Sequence, residues 1–144
     1  MILNWNYKGL FQEFSSQNEW KILLGGTWGL EKESLRVTKD KKLALTSHAQ
    51  ALGDLANDSS FTTDFSESQV EIITPPCSSI DEAFSSLEVL EDKLENALEN
   101  EVVWPFSMPC ELPEEDIIPL AKFEDKTKEI YRNGLALRYG KKCK

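Results

Sequence analysis

Ser79 is followed three residues later by Glu82, and from Ile80 onward apolar side chains recur at steps of three and four: Ala83, Phe84, Leu87, Leu90, Leu94 and Leu98. A serine ahead of a helix accepts a hydrogen bond from an orphan N–H of the first turn, and a glutamate three residues on reaches back. The apolar steps lay a single stripe along the helix surface. Together they predict a helix over about 79–100, with Glu88, Asp92, Glu95 and Glu99 on the face left to water. Immediately upstream, Val70–Thr74 reads as a strand that Pro75 and Pro76 stop, since neither proline can donate to a ladder.

The remaining segments fit the same plan. Residues 8–24 carry Leu10, Phe11, Phe14, Trp20, Leu23 and Leu24 at helical spacing and read as one or two short amphipathic helices ended by Gly25 and Gly26. Residues 27–38 read as a strand closing on the turn Lys39-Asp40-Lys41, with Leu43 and Leu45 as a short return strand. A helical turn is expected around Ala49–Leu55, and extended chain with an irregular middle over 61–74. Four of the six prolines fall in 102–119, which is therefore strand and ordered loop. The stretch before Gly140 reads as a second long helix. The expected class is α+β, a mostly antiparallel sheet flanked by helices, with residues 1–144 forming a single region.

Composition narrows the function. Acids outnumber bases 25 to 16, for a net charge of −9. Binding to nucleic acid or to an anionic membrane relies on clustered Lys and Arg, so neither partner is expected. No apolar run approaches the roughly 18 residues of a membrane span. The N-terminus lacks the organisation of a secretory signal. Cys77, Cys110 and Cys143 are odd in number and lack CxxC spacing, which suggests neither a disulfide framework nor a zinc site. A reduced, cytoplasmic chain is the expectation.

The sharpest chemical feature is Glu31-Lys32-Glu33 inside a strand, where a period of two turns both carboxylates the same way. Alone, the pair reads first as an ordinary exposed strand face. Asp64 and Glu71 lie near other strands but are an odd number apart, so they share a face only if the intervening segment breaks the pleat. Should the four acids meet, hard oxygen donors without His or Cys favour Mg²⁺ or Mn²⁺, and such ions usually complete their shells with substrate phosphates. No glycine-rich phosphate loop is present. Tyr131, Arg132, Leu135 and Arg138 lie on the closing helix, which on its own reads as a helix packed on the sheet with its arginines in water. His48 sits in a polar loop as a surface or capping residue.

Five motifs occur in order: Gly29-Leu-Glu-Lys-Glu-Ser-Leu-Arg-Val37, Thr62-Thr-Asp-Phe65, Glu71-Ile-Ile-Thr-Pro75, Trp104-Pro-Phe-Ser-Met-Pro-Cys110 and Tyr131-Arg-Asn-Gly-Leu-Ala-Leu-Arg-Tyr-Gly140. Together they resemble the N-terminal part of bacterial glutamate–cysteine ligases of the gammaproteobacterial kind, from about Leu24 onward. The resemblance implies part of a glutamine-synthetase-like catalytic fold and a ligase that makes γ-glutamylcysteine from glutamate, cysteine and ATP, the first step of glutathione synthesis. It implies that Glu31, Glu33, Asp64 and Glu71 bind Mg²⁺ or Mn²⁺, and that Phe65, Tyr131 and Leu135 border the cysteine side chain. The family usually has proline after the histidine where this chain has Ala49, a loop position without a catalytic role. Its catalytic chains are several times longer, so the 144 residues are expected to be an N-terminal fragment whose partner is the missing C-terminal part. A non-catalytic module binding an amino acid or a partner subunit is the alternative.

Overall fold

The computed structural model describes residues 8, 9, 12, 13, 25–122 and 125–142. The helices expected over 8–24 thus fall almost wholly outside the described residues, as does Cys143. Strands β1 (Glu31–Thr38), β2 (Phe61–Thr62), β3 (Gln69–Ile73) and β4 (Glu101–Val103) form one sheet in the order β2-β3-β1-β4, with antiparallel ladders throughout. Helices α1 (His48–Leu52), α2 (Ile80–Ala97) and α3 (Lys126–Tyr139) complete the α+β arrangement. The expected return strand is reduced to a bridge between Val37 and Leu43, with Leu45 left exposed.

Helix α2 begins where its cap dictates. Ser79 accepts from the Glu82 N–H at 3.2 Å, but Glu82 reaches past Ser79 to the backbone and hydroxyl of Ser78. The Glu82 N–H is thus satisfied by Ser79 while the Glu82 carboxylate satisfies Ser78, so the box is offset by one residue instead of reciprocal. Leu90, Leu94 and Leu98 then pack against Phe61, Val70 and Ile72 of the sheet and Leu52 of α1. Ile80 and Phe84, on the same apolar stripe, are about half exposed.

Strand register divides the sheet into two unlike faces. Lys32, Ser34 and Arg36 share the face of Val70 and Ile72, which α2 covers. Glu31, Glu33, Leu35 and Val37 point the other way. On that second face Val37 is buried with Leu43, Cys110 and Ile118 under the 104–118 segment. The cover stops at Leu35, where Trp104 donates its N–H to the Leu35 carbonyl at 2.8 Å. β4 pairs only with Arg36–Thr38, so the edge of β1 from Glu31 to Ser34 has no ladder partner among the described residues.

Arg36 ties the two halves together. Its side chain is 0% exposed, and the guanidinium donates to the Glu101 carboxylate, the Thr46 hydroxyl and the carbonyls of Thr46 and Glu67. Glu67 in turn accepts from the His48 N–H at 2.7 Å and the Lys122 N–H at 2.9 Å. One planar cation thereby fixes β1, β4, the entry to α1 and the turn before β3. His48, read from the sequence as a surface or capping residue, opens α1 and is half-buried beside this cluster. Burial, and then Arg36, lower its pKa.

A guanidinium held this way cannot be removed without leaving Glu101 charged in the interior with no cation beside it and the Thr46 hydroxyl donating to it. We expect Arg36→Met to lower the free energy of urea unfolding by roughly 3–5 kcal/mol. Adding Glu101→Gln should recover part of that loss. A single-variant loss of under about 1 kcal/mol would mean that Glu101 is satisfied by Thr46 alone.

Candidate active site

The open half of the second face is where the acids collect. Glu33 stands directly opposite Glu71 across the β1–β3 ladder, and Glu71 directly opposite Thr62 across β3–β2. Residues paired in this way share a face with Cβ atoms about 4.5–5.5 Å apart, and like charges so placed repel. Glu31 lies on the same face two residues before Glu33. Both β1 glutamates are exposed, while Glu71 is half-buried between neighbouring strands.

Asp64 joins them through a turn. The odd spacing from Glu71 would separate the two on one continuous strand, but β2 and β3 are the arms of a hairpin. Gln69 donates its N–H to the Ser66 carbonyl at 3.0 Å, and its side-chain oxygen accepts from the N–H groups of Phe65 and Ser66 at 2.9 and 3.0 Å. Ser68 Oγ donates to the Ala44 carbonyl, anchoring the turn from below. Reversal of the chain cancels the parity argument, because Asp64 now continues the line of Thr62 and not that of Gln69. The acids feel one another: burial pushes the Glu71 carboxyl up, and Glu33, Glu31 and Asp64 push it further. Arg132 pulls it back down.

That arginine comes from α3 and forms an ion pair with Asp64, both side chains being only partly exposed. Helical spacing alone leaves Arg132 in water. The available signal was its place beside Tyr131 in a motif shared with the resembled family. Of the residues expected near a substrate thiol, Tyr131 is 59% exposed, Leu135 is half-buried and Phe65 is 0% exposed. Phe65 therefore packs inside the turn, accepting from the Ala121 N–H at 3.0 Å, while the other two sit on the outer helix. Cys77 and Cys110 are buried free thiols, and burial pushes Cys110 up, away from nucleophilic reactivity.

The donor set suits a hard divalent cation: carboxylate oxygens on an open face, without imidazole or thiolate. The chemistry and the shared face fit such an ion. Among the described residues, however, no three of these groups already close on one point. A groove of about 610 Å³ runs alongside, round the unpaired edge of β1, between Glu33, Leu94 of α2 and the Trp104–Pro109 loop.

Residues 11–144 match the family model described as glutamate-cysteine ligase. A glutamate–cysteine ligase of Clostridium acetobutylicum is 45% identical over 144 residues, covering 97% of this chain and 30% of that protein. The glutathione biosynthesis bifunctional protein of Listeria monocytogenes is 47% identical over 124 residues, or 85% of this chain and 16% of its own. Among solved structures, the Francisella tularensis glutamate–cysteine ligase in complex with AMP aligns with a TM-score of 0.69 and 37% identity, over 78% of this chain and 24% of that one. A bifunctional glutathione synthetase from Pasteurella multocida aligns with a TM-score of 0.75 and 36% identity, over 90% and 17%. The chain thus spans less than a third of the length of each of these relatives.

Burial of the Glu71 carboxylate and its repulsion by neighbouring acids together have a testable sign. Its folded pKa lies above the ordinary 4.5, so the charged form weakens the fold above the folded pKa, and the penalty fades as pH falls toward 4.5. Without metal at pH 7, Glu71→Gln should stabilise the chain by about 0.2–1 kcal/mol, the scale of one cross-strand pair. Below pH 4.5 the variant and the parent should melt together. A Glu71→Gln chain less stable than its parent at pH 7 in chelator would contradict the repulsive register.

Proposed function

The chain belongs to the glutamate–cysteine ligase family, and from that premise we propose that Glu31, Glu33, Asp64 and Glu71 form the cation-binding wall of a site joining glutamate to cysteine at the expense of ATP. The observation that carries this reading is the direct pairing of Glu33 with Glu71 on an uncovered face, with Glu31 and Asp64 beside them. Two carboxylates in register cost the sheet a repulsion that a cation between them would relieve. Acids alone would repel a nucleotide's triphosphate. Mg²⁺ or Mn²⁺ bound there would neutralise that polyanion and the charge that develops on the transferred phosphoryl group.

The reaction then has a simple logic. The γ-carboxylate of glutamate is a poor electrophile. Transfer of the terminal phosphoryl group of ATP to one of its oxygens gives an acyl phosphate and ADP. The amino group of cysteine attacks the acyl carbon, phosphate leaves, and an amide forms with loss of the amine proton. In this scheme the acids hold the ions, the Phe65 turn fixes Asp64, and Tyr131 and Leu135 of α3 border the cysteine side chain. The cysteine thiol enters as substrate, in keeping with the buried state of Cys77 and Cys110. The nucleotide pocket and further substrate contacts belong to segments that the longer relatives carry, and we place the reaction in the cytoplasm.

Manganese binding followed by the loss of its free-ion paramagnetic signal tests the wall directly. The chain should bind Mn²⁺, and Glu31→Gln or Glu71→Gln should weaken that binding. In an enzyme of the relatives' full length, either substitution should lower ATP-dependent γ-glutamylcysteine formation by about 10²-fold or more. Glutamate or cysteine binding that ignores both metal and Glu31→Gln would favour a non-catalytic amino-acid-binding module. Undiminished turnover in either variant would remove the assignment.

A further inference from the structure

The cluster around Arg36 encloses one group that it does not satisfy. His48 is half-buried as a residue, yet both of its ring nitrogens are closed off from solvent, and neither has a hydrogen-bond partner among the described residues. Its backbone is engaged where its ring is not. The His48 N–H, at the start of α1, donates to one oxygen of the Glu67 carboxylate at 2.7 Å, and the Lys122 N–H donates to the other at 2.9 Å. Glu67 is itself buried and stands in the turn that carries Phe65 and Asp64. Its own N–H donates to the Pro119 carbonyl at 2.9 Å, and its carbonyl accepts from Arg36. The placement of the turn thus depends in part on a residue whose imidazole goes unbonded.

We propose that His48 is a proton-operated release for this turn: on gaining a proton the imidazole leaves the cluster, draws the start of α1 with it and frees Glu67. A neutral imidazole has one donor and one acceptor, whereas the ionised ring has two donors and a full charge. A charged donor without a partner is far costlier to keep out of water than a neutral one. Arg36 of β1 repels the ionised ring. Glu67 attracts it, but each Glu67 oxygen already accepts a backbone N–H, and burial together with Arg36 outweighs its pull. Glu101 of β4 is taken up by Arg36 and the Thr46 hydroxyl. Relief therefore comes from carrying the ring to solvent. Helix α1 is five residues long and Leu52 is its one buried residue, so its start can swing while its end stays packed. Glu67 then loses a donor inside the protein, and the turn loses a tie.

The pH dependence has a definite sign. The folded imidazole takes up its proton at lower pH than the ordinary 6.5. Its contribution to stability is present above 6.5 and is lost as pH falls through the folded value. The release acts on the placement of Asp64 and holds whatever the acidic face binds.

The test uses the 144-residue chain, in which His48 is the one histidine, so a proton NMR titration of imidazole reports on it alone. The midpoint should lie below 6.5. Amide exchange, corrected for the intrinsic effect of pH, should quicken about 10-fold or more in peptides from 46–52 and 64–69 across that same midpoint, with peptides from 80–97 unchanged. Between about pH 7.5 and 5, the urea midpoint of the parent should fall further than that of His48→Gln, which carries no charge there. Glu71 titrates in both chains and drops out of the difference. An imidazole midpoint at 6.5 or above would overturn the release. Exchange that quickens evenly along the chain, or about a different pH, would overturn it too, and both are read on the parent even if His48→Gln fails to fold. Equal pH dependence in two folded chains would be as decisive against it.

Discussion

A buried guanidinium sets the terms for everything around it. Arg36 sits on the strand that carries Glu31 and Glu33, yet its side chain enters the opposite face and is held by Glu101, Thr46 and the Glu67 carbonyl. A lysine could not do this, because a single ammonium lacks the planar fork that meets several acceptors at once. The Glu67 carbonyl belongs to the turn that returns Asp64 toward Glu71. The interior ion pair and the exposed acids are thus two ends of one construction. At the buried end both terminal nitrogens of the guanidinium find acceptors, while the exposed end is left in want of positive charge.

That contrast explains how the acidic face can exist. A cross-strand carboxylate pair is an unfavourable choice for a sheet, and α2 and its leucines must hold the strands together despite it. Burial of Leu90, Leu94 and Leu98 against Phe61, Val70 and Ile72 lies on the far side, where the charges do not reach into the packing. The energetic work is divided by face. One surface supplies cohesion, and the other is free to hold groups chosen for chemistry.

Much of this was legible in the residues. The α2 helix, its serine cap, the proline stop and the irregular 102–119 segment follow from local rules, and the helix ends near where its cap and periodicity say. Glu31 and Glu33 share a face by strand parity alone. What parity could not supply was the relation of Asp64 to Glu71, since that depends on a hairpin whose turn is built by the Gln69 side chain. The Glu33–Glu71 register is invisible for the same reason: pairing is a property of two strands, and each strand alone is silent about it. Arg36 was hidden differently. Its partners lie 10, 31 and 65 residues away, and no local pattern announces a buried cation.

Along the stretch of β1 whose outer edge has no ladder partner among the described residues, Glu31 and Glu33 have a second duty. An unpaired strand invites a copy of itself to add on, and natural sheets deter this by setting charge beside the edge. Two glutamates on such an edge discourage stacking of one molecule on another for as long as they stay ionised. Neutralising them, by protons or by bound ions, removes the deterrent together with the repulsion. Edge-to-edge association and the charge of the acidic face therefore both draw on these two side chains.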